Sequence, residues 1–62
     1  MIGSKIKEAR ENKDMIQYRL AELTGINRST IKRYEDNHIK KISLDNLIKI
    51  CKALEIDVKE II

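Results

Sequence analysis

The chain has 62 residues, of which 42% are hydrophobic and 37% charged, with a formal net charge of +3. That length makes one small domain, residues 1–62, and excludes a large enzyme cleft, because a chain of this size buries only about 60% of the surface its unfolded form exposes. The composition excludes a disordered tail, and with no apolar run near the roughly 20 residues of a membrane helix and no signal-peptide pattern, no membrane partner and a cytoplasmic location are expected.

Taken in chain order, Ile2, Ile6 and Ala9 recur at helical spacing with Ser4 as an early cap, which predicts a first helix ending near Lys13. Asp14 follows where the chain must turn. Ile16, Leu20 and Leu23 at i, i+4 and i+7 predict a second helix from Gln17 to about Thr24, closed by Gly25 as a left-handed stop. Asn27 caps a third helix from Arg28 to Tyr34 or Glu35, which stops at Asn37. Residues 36–42 form a polar, basic loop. Ser43 caps a fourth helix whose expected core stripe is Leu44, Leu47, Ile48, Cys51 and Leu54. Asp57 and Glu60 have the spacing of a capping box for a fifth helix, Val58 to Ile62. The expected fold class is an all-α, compact five-helix bundle, its core aliphatic because twelve isoleucines and five leucines stand beside only two aromatics, Tyr18 and Tyr34.

The charge is not spread evenly. Residues 26–41 carry Arg28, Lys32, Arg33, Lys40 and Lys41 against Glu35 and Asp36, a surplus of three positive charges, while the remainder is neutral with eight of each sign. The whole excess sits in one quarter of the chain, the pattern of an electrostatic footprint on phosphates. At 100° per residue, Arg28, Ser29, Lys32 and Arg33 fall within one roughly 140° sector of the third helix, with Ile31 and Tyr34 opposite. One face anchors in a core; the other offers donors, including two guanidinium groups suited to guanine O6 and N7 in a major groove.

The stretch Gln17-Tyr18-Arg19-Leu20-Ala21-Glu22-Leu23-Thr24-Gly25-Ile26-Asn27-Arg28-Ser29-Thr30-Ile31 resembles the Q-x-x-L-A-x-x-x-G-[IV]-[SN]-x-x-x-[IV] core of the helix-turn-helix domain of lambdoid phage repressors and Cro proteins. Tyr34-Glu35-Asp36-Asn37 is similar to that family's aromatic-Glu-x-Gly ending, and the resemblance covers essentially the whole chain. It implies a helix-turn-helix in which Arg28, Ser29, Lys32 and Arg33 read bases. It also implies that Gln17, Asn27, Lys40 and Lys41 contact phosphates, Gln17 bracing Arg28, and that Arg10 and Glu35 form a partly buried ion pair tying the first helix to the third. Ala21 and Gly25 match the close approach and the turn. Departures are Ile16 in place of a Thr or Ser cap, with Asp14 as the replacement cap expected, and Asp14, Asn37 and Glu55 where relatives carry glycine.

The resulting expectation is sequence-specific binding of double-stranded DNA by a transcriptional regulator, most often a repressor, as a homodimer on a palindromic operator, since one domain spans only about four or five base pairs. The apolar ending Ile61-Ile62 suggests a pairing surface or a domain of a longer regulator. The rival is an antitoxin-like or anti-repressor protein-interaction module on the same fold. Cys51, on the apolar stripe, reads as a core thiol, His38 as a solvated loop side chain, and Tyr18 as either a phosphate contact or surface packing. One cysteine and one histidine make neither a disulfide nor a zinc site, so no metal, cofactor or catalytic constellation is expected.

Overall fold

A computed structural model describes residues 1–62. Four α-helices, α1 (Ile2–Asn12), α2 (Gln17–Thr24), α3 (Arg28–Glu35) and α4 (Leu44–Leu54), are followed by a short 3-10 turn, Val58–Glu60. There are no strands. The expected fifth helix is thus a single turn. Its start is the expected capping box, in which Asp57 accepts from the Lys59 amide while Glu60 reaches back to the Asp57 N–H (2.8 Å). The Ile61 amide then bonds Val58 O at i→i+3 (3.0 Å), the tighter winding that turns Ile61 into the core.

Ile6, Leu20, Ile26, Ile31, Tyr34, Leu47, Ile50, Cys51, Leu54 and Ile61 form one core, with half-buried Ile2, Ala9, Met15, Ala21, Ile39, Ile42, Ile56 and Val58 packed around it. α3 packs on α1 and α2, and α4 packs on α2 and α1. Two expected stripes are corrected. On α4 the buried set is Leu47, Ile50, Cys51 and Leu54, whereas Leu44 and Ile48 are exposed. Both sets have helical spacing; contact with α2 and α1 selects the one that includes Ile50. On α2 only Leu20 of the expected stripe is buried, while Ile16 (64%) and Leu23 (46%) face outward. The inner face of α2 is instead completed by Ala21, Gln17 and Thr24, whose polar groups are satisfied by hydrogen bonds.

Helix termini follow residue chemistry, except at the starts of α1 and α2: α1 begins at Ile2, so the expected cap Ser4 lies inside its first turn and Met1 holds the cap position with no side-chain bond. Ser43 Oγ accepts from the Asn46 amide (3.1 Å) at the start of α4, and Glu55 closes that helix in the left-handed region (φ 58°), its carboxylate bonded to Lys13 Nζ (2.6 Å). Asp14 (φ 53°) and Asn37 (φ 62°) take the same conformation after α1 and α3. The start of α2 has no side-chain cap: Ile16 occupies the cap position, and Asp14, expected to substitute, is committed to the preceding turn. Gly3 is buried where α1 crosses α3, and a Cβ placed on it would stand 1.9 Å from the carbonyl oxygen of Tyr34.

Candidate nucleic-acid interface

The angle between α2 and α3 is set by four consecutive residues. Gly25 takes φ 74°, and its amide closes on Ala21 O (2.8 Å). Thr24, just before it, is buried; its hydroxyl donates to Leu20 O (2.8 Å) and accepts from the Ile26 amide (3.1 Å). Ile26 plugs the core, and Asn27 opens α3 by accepting the Ser29 amide (2.9 Å). Thr24 was not among the sequence-derived site residues. Its signal is a hydroxyl directly before a stop glycine, where it can serve both helix end and turn.

α3 then divides as the wheel implies. Ile31, Tyr34 and Glu35 are buried, and Arg28, Ser29, Lys32 and Arg33 are exposed. Tyr34 is pinned from the other side by Asn46, whose amide donates to the phenolic oxygen (3.0 Å), joining α3 to α4. The four outward side chains are not equivalent. Arg28 and Arg33 make no ion pair within the chain. Lys32 is bonded to Asp36 (2.8 Å), which sits one turn on, and this bond holds the Asp36 carboxyl below its usual range. Ser29 Oγ is bonded to Asn27 Oδ1 (2.6 Å).

Beneath this face lies a buried ion pair. Arg10 donates to Glu35 through Nε (2.8 Å) and through a terminal nitrogen (3.0 Å), and through its other terminal nitrogen to Met15 O. The Glu35 side chain is 0% exposed and that of Arg10 10%. The Glu35 hydrogen bond, opposed by desolvation, pushes the Arg10 guanidinium further above its ordinary value. Gln17 completes the cluster, its amide donating to the same Glu35 oxygen at 3.0 Å. The family resemblance had Gln17 bracing Arg28; here Glu35 holds it, because the buried carboxylate is the stronger acceptor within reach. The cluster joins α1, α3 and the first residue of α2. With Ile16 unable to cap, the first-turn amides of α2 have no side-chain acceptor, and the positive end of that helix faces outward.

The loop after α3 folds back on it: the amides of His38 and Ile39 both reach Arg33 O (2.9 and 3.3 Å). Ile39 and Ile42 are half-buried against the core, so the intervening Lys40 and Lys41 stay outside, and His38 is exposed. Tyr18 is 59% exposed. Cys51 is 3% exposed, and burial, reinforced by Asp57 and Glu60, pushes its thiol up from the ordinary value, away from reactive thiolate chemistry.

No cluster of three or more His, Cys, Asp or Glu side chains is arranged to hold a metal ion, and no helix is long and apolar enough to cross a membrane. The arrangement of the chain is shared with known proteins. The helix-turn-helix family matches residues 6–61. The restriction-modification controller protein C.AhdI from Aeromonas hydrophila superposes with a TM-score of 0.93 at 33% identity, over 98% of this chain and 91% of that one. The antitoxin PezA of Streptococcus pneumoniae is 32% identical over all 62 residues, which span 39% of its length. The chain therefore belongs to the helix-turn-helix family.

Proposed function

We propose that this chain is the sequence-reading domain of a transcriptional regulator, a repressor in its commonest mode, that places α3 in the major groove of double-stranded DNA. The observation that carries this reading is the division of α3: one side is locked into the core through Ile31, Tyr34 and Glu35, and the other exposes Arg28 and Arg33 with their guanidinium groups uncommitted. Arg28, Ser29, Lys32 and Arg33 are assigned to bases, Lys32 exchanging Asp36 for its target. Asn27, Lys40 and Lys41 are assigned to phosphates. Gln17 contributes through the uncapped start of α2, where main-chain amides and the helix dipole favour an anion, while its side chain stays on Glu35. The cationic face and the family favour binding over catalysis, and a cytoplasmic place follows for a protein that reads DNA.

Eight residues of α3 rise about 12 Å, which limits one copy to a half-site and favours a homodimer on two half-sites about one helical turn apart. Ile61 is not available for pairing, being buried in the core; Ile62, 66% exposed, is.

Arg28→Ala or Arg33→Ala is expected to cost about 1–3 kcal/mol on the selected site and to relax one base position, whereas Lys40→Ala weakens cognate and random duplex alike and lowers the salt slope by about one. Binding isotherms across a salt series measure both. Equal losses on cognate and random DNA for all three variants refute the roles.

The identity to an antitoxin supports a second reading, in which the chain joins a toxin-binding segment and its DNA contacts are secondary. That reading predicts DNA binding that is absent or insensitive to salt. The charged, uncommitted face of α3 weighs against it, since protein interfaces are depleted of charge at their centre.

A further inference from the structure

The hydrogen bonds at the start of α3 determine which kind of base Ser29 can accept. The Ser29 amide lies 2.9 Å from one terminal atom of the Asn27 side chain. A backbone N–H needs an acceptor, so that atom is the carbonyl oxygen Oδ1, not the amide nitrogen. The same oxygen lies 2.6 Å from Ser29 Oγ. Oδ1 has lone pairs and no proton, so the only hydrogen bond possible at that distance is one that the serine hydroxyl donates. Both residues are exposed, so what Ser29 leaves to the outside is the acceptor side of its oxygen.

We propose that Ser29 is a specificity-determining residue that selects an amino base, adenine through N6 or cytosine through N4, and rejects the keto bases guanine and thymine at the position it faces. This rests on the reading of α3 as a major-groove element. A serine hydroxyl is ordinarily ambivalent and accepts from or donates to any base edge. Here the helix cap removes the ambivalence: guanine offers O6 and N7 and thymine O4, all acceptors, and would face another acceptor. Asn27 is therefore a positioning residue. It holds the serine proton with Oδ1, while its amide nitrogen keeps two donors for phosphate.

The test uses the whole chain and duplexes selected from a random library. Wild type is expected to enrich adenine or cytosine at one position where Ser29→Ala shows no preference. At that position, replacing adenine by unsubstituted purine, or cytosine by an analogue lacking its amine, weakens wild-type binding about three- to tenfold, the value of one neutral hydrogen bond, and leaves Ser29→Ala unaffected. Asn27→Gly, which keeps a tolerated cap residue, frees the hydroxyl and admits guanine or thymine. Binding that weakens when the keto oxygen of the Ser29-dependent base pair is removed, and not when its amine is, overturns the assignment and leaves the reading of α3 standing. So does equal binding of the amine-free duplex, or the lack of any position sensitive to Ser29→Ala. Failure of wild type to enrich any site refutes the DNA-reading role itself, and the selectivity of Ser29 with it.

Discussion

Replacing Glu35 by alanine tests whether the buried ion pair holds α1, α2 and α3 together. The Glu35 carboxylate accepts three hydrogen bonds, from Arg10 at 2.8 and 3.0 Å and from Gln17 at 3.0 Å, and its side chain is fully shielded from water. Glu35→Ala strands a guanidinium that is 10% exposed with only Met15 O still in reach. Breaking one side of a buried pair costs roughly 3–5 kcal/mol. A core of this size supplies about the same in total. Glu35→Ala is therefore expected to be largely unfolded at room temperature, with Arg10→Met close behind, whereas the double variant Arg10→Met with Glu35→Leu restores most of the loss by removing both charges. Urea titrations followed by helical circular dichroism, on wild type, both single variants and the double, measure the coupling directly. A loss below about 1 kcal/mol in Glu35→Ala, or additive single losses, refutes the premise that burial makes this pair obligatory.

The two glycines fail for different reasons, and thermal unfolding separates them. Gly3→Ala drives a methyl into the Tyr34 carbonyl and is expected to cost about 1–3 kcal/mol or more with a shift of α1 on α3, while Gly25→Ala meets no neighbouring atom and costs roughly 1–2 kcal/mol for its φ of 74° alone, so that Gly25→Asn recovers part of it. Equal losses in Gly25→Ala and Gly25→Asn contradict the backbone explanation. Acid sensitivity has a defined sign. Hydrogen bonds from Lys32 to Asp36 and from Lys13 to Glu55 hold both carboxyls below their ordinary values, so their contribution is present above the usual carboxylate range and is lost as pH falls through it. Asp36→Asn and Glu55→Gln are each expected to lower the melting temperature slightly at about pH 7 and to match wild type at about pH 2. A difference that persists in acid shows that the side chains act by packing.

Much of the fold was legible because it rests on local chemistry. Gly25, Asn27, Ser43 and the pair Asp57 and Glu60 mark helix ends through their own hydrogen bonds or φ angles, and each marks a boundary in the structure. The two faces of α3 were legible too, since charged and aliphatic residues separate cleanly on its wheel. The faces of α2 and α4 were not. On α2, Ile16 and Leu23 are as apolar as Leu20, so hydrophobic spacing pointed away from the partly polar face of Gln17 and Thr24 that is turned inward; on α4, Leu44 and Ile48 are as apolar as Ile50, so spacing alone did not choose between them.

What the chain by itself determined is where helices start and stop and where positive charge collects, because capping, turning and net charge depend on residues within a few positions. Tertiary structure decided the rest. It turned Gln17 and Thr24 inward, since a buried carboxylate and a helix carbonyl lay within reach to satisfy them. It wound the last segment into a single 3-10 turn to bury Ile61, and it required Gly3 where α1 meets the Tyr34 backbone. These outcomes depend on atoms brought together from distant parts of the chain, and burial energy, not local preference, chooses among them.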